Sequence, residues 1–198
     1  VNESVQPIDV QSILSSTTYL FDKNYEFVHL TGAWARERHI QKQPLMNGTM
    51  QIDSKRVASG HIHSPFLALA RPWATENQGE VYGYSFVYSG NFIMQAETNQ
   101  QNLVRVNIGI NPFGFHWLLT PGEVFQAPEV VMTFSNSGFG TMSRRFHRIY
   151  RQRLCRGKYR DSERPVLINN WEATYYDFDE EKILNIAKKA HDVGVELL

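Results

Sequence analysis

An antiparallel β-sandwich over most of the chain, then one amphipathic helix, then a strand, helix and strand of a parallel sheet: this mainly β architecture follows from three observations. Residues alternate with period two in several short runs before Thr133. The apolar spacing turns helical over residues 141–154. Residues 164–178, RPVLINNWEATYYDF, are an apolar run that enters two amides, a Trp and a Glu, and a second helical stripe and a further apolar run follow to Leu198.

The β elements come first. In residues 80–97, EVYGYSFVYSGNFIMQAE, Val81, Gly83, Ser85 and Val87 alternate with Tyr82, Tyr84, Phe86 and Tyr88, and Ser89, Gly90 and Asn91 turn the chain into residues 92–97. This is a hairpin pattern. Residues 103–110, LVRVNIGI, alternate again and close at Asn111 and Pro112, because proline has no N–H to give a ladder. Residues 13–20, 26–30, 116–119 and 130–134 read as further short strands. Many short strands between Gly, Pro and Asn turns predict a sandwich.

The helix over 141–154 places Met142, Phe146, Ile149, Tyr150 and Leu154 on one stripe and Arg144, Arg145, Arg148, Arg151 and Arg153 elsewhere. Five arginines can form a phosphate-binding face, but the chain carries 20 basic and 20 acidic residues, which favours a solvated or interdomain face. The following RGKYRDSER is polar and charged, so a domain boundary is expected near Ser162.

Beyond it, residues 165–170 show no polar alternation until the two amides at their end, the pattern of a parallel strand buried on both faces. Asp179 stands at a helix N-cap, Phe178 and Ile183 at staple positions, and Ile183, Ile186, Ala187 and Ala190 form a stripe. Lys188, Lys189 and His191 suit the last turn, and Gly194 ends it before a strand at residues 195–198. The unit therefore belongs to a barrel or a doubly wound sheet. Such folds bind ligands at the C-terminal ends of their strands, where Asn169, Asn170, Trp171 and Glu172 lie. A Trp flanked by amides and a carboxylate can stack on the C–H face of a pyranose and bond its hydroxyls. Packing at the barrel mouth, with the amides capping loop backbone, accounts for the same residues, and the residues alone admit both readings.

Composition bounds the remaining chemistry. Charge neutrality speaks against nucleic acid or an anionic membrane as the main target. No apolar stretch approaches the ~20 residues of a membrane span. The single Cys155 excludes an intrachain disulfide and a Cys-rich zinc site, and fits a reducing compartment, hence a cytoplasmic location. Residue 1 is Val and no signal pattern follows, so the sequence is expected to be a piece of something longer. His61 and His63 lack an accompanying carboxylate or Cys at ligand spacing, so no metal site is expected. Cys155 and His147, eight residues apart, make no evident nucleophile pair. Asp161, Glu163, Asp177, Asp179 and Glu180 have sufficient roles as linker and cap residues.

Longer strings carry a resemblance. NNWEATYYDF, with RPVLI before it and GVELL after the helix, is similar to the start of the catalytic barrel in bacterial and fungal α-galactosidases of glycoside hydrolase family 36. HLTGAWARERH (residues 29–39), GEVYGYSFVYSGNF (79–92), GINPFGFHWLLTPGEVFQAPE (109–129) and MSRRFHRIYRQRL (142–154) resemble the same family, so the likeness runs over nearly the whole chain. Within SKRVASGHIHSPF (54–66), Val57 and Gly60 stand where the family tends to carry Gly and Ser. The resemblance implies the later part of an N-terminal β-supersandwich with its linking helix at 1–162, and the first βα unit of a (β/α)8 barrel at 163–198. It implies a retaining hydrolase of melibiose- and raffinose-type α-galactosides that uses two aspartates, both expected beyond Leu198, and no cofactor. Trp171 matches the family's first-strand Trp that lines the galactose subsite, with Asn170 and Glu172 as further candidates. Homo-oligomers, often tetramers, are implied as well. A sugar-binding or interdomain sandwich without chemistry of its own is the alternative, and transferase or α-N-acetylgalactosaminidase specificity would rest on residues outside the chain.

Overall fold

The structure, a computed structural model, describes all 198 residues, 1–198. By contact the chain forms two compact units, Val1–Arg148 and Ile149–Leu198. The strands of the first, in chain order, are β1 (Ile8–Val10), β2 (Leu14–Leu20), β3 (Glu26–Ala33), β4 (Arg36–Pro44), β5 (Gly48–Asp53), β6 (His63–Ala70), β7 (Val81–Val87), β8 (Phe92–Thr98), β9 (Val104–Ile110), β10 (Trp117–Leu119) and β11 (Glu129–Ser135). They build a five-stranded sheet ordered β11-β7-β6-β3-β4, a four-stranded sheet ordered β2-β9-β8-β5, and a small β1-β10 ribbon. Every named pair is antiparallel.

The alternation read from the sequence sets the core. Phe27, Leu67, Leu69, Tyr84 and Phe86 of the five-stranded sheet join Ile52, Phe92, Met94, Val104, Val106 and Ile108 of the four-stranded sheet in one buried cluster. Each such side chain contributes about 1.5–3 kcal/mol of transfer free energy. The sandwich is as predicted, and the expected strands fall within a few residues of their observed bounds.

Four strands were not in that expectation. β4 is exposed at all nine positions, so it has no apolar face from which to read a period. It lies at a sheet edge, where Arg36, Glu37, Arg38, Lys42 and Pro44 discourage pairing with another strand. β6 fails the pattern for the opposite reason: Leu67, Ala68, Leu69 and Ala70 are all buried, since both faces of this central strand are covered. Its Pro65 precedes the β7 ladder, which begins at Phe66. β1 and β5 are short strands at sheet margins, with Ile52 as the one fully buried residue of β5.

The amphipathic helix, α1 (Gly138–Ile149), begins three residues before its predicted start and gives way to π spacing over Tyr150–Leu154. Its early start has a cause in the loop beneath it. The Phe139 and Gly140 N–H groups donate to the Thr75 and Glu76 carbonyls at 3.0 and 2.9 Å, which satisfies donors that no intrahelical acceptor reaches. Met142 and Phe146 are buried over Gly83, where a Cβ would meet Met142 Sδ at 2.6 Å and Phe146 Cε2 at 2.7 Å. Arg144, Arg145 and Arg148 are exposed, and Arg145 donates to the Phe134 carbonyl.

Two strained or unsatisfied points mark the same sandwich. Val57 adopts φ 74°, a left-handed conformation that a β-branched residue seldom takes and that a Gly accepts without cost. His29 on β3 is buried and its Nδ1 has no partner. Its ring meets the His63 ring edge-on at 5.7 Å. Burial first, and the charge of His63 second, hold its pKa below the usual 6.5. The unfolded chain therefore takes up a proton near pH 6.5 that the folded chain refuses, so stability is retained above that pH and lost as pH falls below it. Thermal midpoints measured at pH 7.5 and 5.5 should drop more steeply for the wild type than for His29→Phe. Equal drops would remove His29 as the cause.

In the second unit, residues 165–168 and 195–198 run parallel, but their pairing is confined to one bridge, Leu167 to Leu197. The Ile168 N–H donates to the Leu197 carbonyl at 3.0 Å, and the Glu196 and Leu197 N–H groups donate to the Val166 carbonyl at 2.9 and 3.1 Å. Burial on both faces, expected for 165–170, is not observed: Val166 and Leu167 are 57% and 63% exposed. A single βα unit supplies one neighbour strand and one helix, too little to cover both sides of a parallel strand. Two helices complete this unit, α2 (Trp171–Thr174) and α3 (Glu180–Asp192). Asp179 caps α3 by accepting from the Lys182 N–H at 2.8 Å, and Gly194, at φ 88°, follows its end. Ile183, Ile186, Ala187 and Ala190 are its more buried residues, the stripe that the spacing predicts.

Candidate functional site

The segment that follows the parallel bridge is held by its own amides. Asn169 Oδ1 accepts the Trp171 N–H at 2.7 Å, an Asx turn that fixes where the Trp backbone begins. The Asn170 carbonyl accepts from the Ala173 and Thr174 N–H groups at 3.0 and 3.1 Å, and the Asn170 side chain donates to Thr174 Oγ1 at 3.0 Å. Trp171 thus sits on the first residue of a helical turn, α2, rather than on an extended strand.

That turn closes abruptly. The Tyr175 N–H donates to the Trp171 carbonyl at 2.7 Å, and Tyr175 takes φ 49°, a left-handed geometry uncommon outside glycine. The reversal lets two consecutive tyrosines reach one indole. Tyr175 lies with its ring centroid 5.6 Å from that of Trp171 at an interplanar angle of 76°, and Tyr176 at 4.9 Å and 88°. Both are edge-on pairings of the kind the aromatic quadrupole favours.

Trp171 remains 41% exposed in this cluster, and Tyr175 and Tyr176 are 58% and 86% exposed. The arrangement offers solvent an apolar ring surface beside an amide. Asn170 and Trp171 are brought into one turn, and Asn170 spends its side-chain donor on Thr174. Glu172 is exposed in the first turn of α2 and makes no hydrogen bond. The exposed indole beside these amides is a surface on which a ring can stack. The sequence reading placed Asn169 here, with capping of loop backbone among its readings, but missed the two tyrosines. The signal for Tyr175 was present as helical spacing, four residues after Trp171.

Most of the other residues weighed from sequence lie apart from this cluster in the chain, Asp177 being the one that directly follows it. His63 Nδ1 is 3.2 Å from the Asp53 carbonyl, and both His61 and His63 line an open cleft of about 480 Å³ bounded by residues 53–56 and 58–63. His147 contacts Ser143 Oγ at 3.3 Å, and Cys155 is exposed with a free thiol. Arg151 and Arg153 are exposed, Asp161 pairs with Arg160, and Asp177 pairs with Lys182 at 2.9 Å.

Comparison with known proteins bears on the chain as a whole. Residues 1–120 match the model of the glycosyl hydrolase family 36 N-terminal domain, and residues 124–198 match the melibiase model. The chain is 52% identical over 197 residues to alpha-galactosidase AgaA of Geobacillus stearothermophilus, covering 100% of this chain and 27% of that protein. It is 40% identical over 196 residues to alpha-galactosidase Mel36A of Lactobacillus acidophilus, covering 99% and 27%. A crystal structure of a variant of the Geobacillus enzyme in complex with raffinose superposes with a TM-score of 0.95 at 52% identity, covering 99% of this chain and 27% of that one. The chain therefore spans about 27% of the length of the relatives it matches. No helix is long and apolar enough to cross a membrane.

Proposed function

Since the chain belongs to glycosyl hydrolase family 36, we propose that the protein of which it is a part is a retaining α-galactosidase acting on raffinose-type oligosaccharides. The observation that carries the reading is identity of 52% along the full chain to an α-galactosidase, with raffinose and stachyose bound in structures of variants of that relative. In this reading residues 1–162 are the later part of the supersandwich with its linking helix, and residues 163–198 open the catalytic barrel. Trp171 walls the galactose subsite at the end of the first barrel strand, with Asn170 and Glu172 beside it for hydroxyl contacts.

The exposed Val166 and Leu167 then belong under the remaining strands and helices of the barrel. Hydrolysis proceeds with one Asp attacking the anomeric carbon as the other protonates the leaving oxygen, and water releases galactose from the covalent intermediate. Both aspartates are expected beyond Leu198. A homotetramer and a cytoplasmic location complete the proposal, the latter supported by one free Cys155.

Three observations test it. The intact protein should hydrolyse an aryl α-galactoside, and its sequence should show an Asp-Asp pair within a few residues of Leu198. The 198-residue chain alone should release no product above the enzyme-free rate. Turnover that survives exhaustive purification of this chain would place the chemistry elsewhere, whereas an inactive intact protein would favour a sugar-binding or interdomain scaffold.

A further inference from the structure

Trp171 has a fixed backbone and a partly free ring. The Asn169 Oδ1 contact and the Tyr175 N–H hold its main chain, and neither fixes the side-chain angles of the indole. A stacking platform needs one orientation, because a ring that samples several rotamers spends binding free energy on being ordered by the sugar. The ring contacts that set that orientation are those of the two tyrosines.

We infer that Tyr176 is a positioning residue for the sugar platform: its ring, perpendicular to the indole, holds Trp171 in the orientation that presents a face to a pyranose. The inference rests on the α-galactoside reading of Trp171 given above. Tyr176 has the shorter centroid distance and the angle closer to a right angle. In a perpendicular pair, turning one ring either withdraws the edge from the face or drives the rings together, so rotation of the indole is opposed in both senses. The left-handed backbone at Tyr175 is the device that turns Tyr176 back toward the indole.

The test uses the full-length enzyme and an aryl α-galactoside, with kcat and KM measured for Trp171→Ala, Tyr176→Leu, Tyr176→Phe and the Trp171→Ala/Tyr176→Leu double variant. Tyr176→Leu should lower kcat/KM about two- to tenfold, the range an edge-on aromatic pair supplies, with an unchanged thermal midpoint. Tyr176→Phe should recover most of that loss, since the hydroxyl takes no part in the ring contact. The double variant should be no worse than Trp171→Ala alone, because Tyr176 acts through the indole. Losses that multiply, or wild-type kinetics for Tyr176→Leu beside an impaired Trp171→Ala, overturn the positioning role while leaving the platform standing. Unchanged kinetics for Trp171→Ala itself overturns both. If Tyr176→Leu fails to accumulate, Tyr176→His, which keeps a flat ring of smaller face, enters the same comparison and should fall between Leu and Phe.

Discussion

Replacing Trp171 by Ala in the full-length enzyme is expected to lower kcat/KM for an α-galactoside by about 10²-fold, or roughly 2–4 kcal/mol of transition-state stabilisation. The magnitude reflects loss of the ring surface that the Asn169 turn and the two tyrosines hold partly exposed. Packing at the barrel mouth predicts the reverse signature. An indole that only fills space would leave kcat/KM near normal in the folded fraction and lower the thermal midpoint instead, as large-to-small core changes do. Measuring both quantities on one preparation separates the two, and a large fall in midpoint with intact kcat/KM would end the subsite assignment.

The second large effect lies in the sandwich. Gly138→Ala should destabilise the first unit by about 3 kcal/mol or more, since two costs add. The residue sits at φ 77°, where a side chain costs roughly 1–2 kcal/mol. A Cβ there would also lie 2.2 Å from the Thr75 carbonyl oxygen and 2.7 Å from Gln78 N and the Glu76 carbonyl carbon, all backbone atoms that give way only by moving the loop. Moving that loop disturbs the carbonyls that accept the first N–H groups of α1. At roughly 2–4 °C per kcal/mol for a unit of this size, the thermal midpoint should fall by about 10 °C. Gly83→Ala is the informative contrast, because there the close atoms belong to Met142 and Phe146, side chains able to repack. A Gly138→Ala midpoint within 2 °C of the parent would refute the tight docking of the helix start.

Charge-changing substitutions on the arginine face make a useful background for both experiments. Arg144 and Arg148 are solvent-exposed, and surface changes of that kind ordinarily shift stability by less than about 0.5 kcal/mol. An effect of several kcal/mol at Trp171 or Gly138 stands clear of it.

Period-two runs such as that of β8 were legible because one face is buried while the other is less so, and burial prints itself on the sequence. The cap of α3 was legible because Asp179 and Lys182 are three residues apart and need no tertiary partner. Two of the strands that escaped were those where burial and period part company, β4 exposed throughout and β6 buried on both faces over residues 67–70. The same division runs through the site. Residue identity and chain spacing, both local, determined that an amide, a Trp and a Glu would gather after an apolar run, and long strings of residues pointed to the family. That two tyrosines stand perpendicular to one indole, and that a left-handed residue turns them there, came from the fold alone. Ring orientation depends on a backbone reversal at a non-glycine position, and such a reversal is set by the surrounding structure against the residue's own preference, so no local propensity records it.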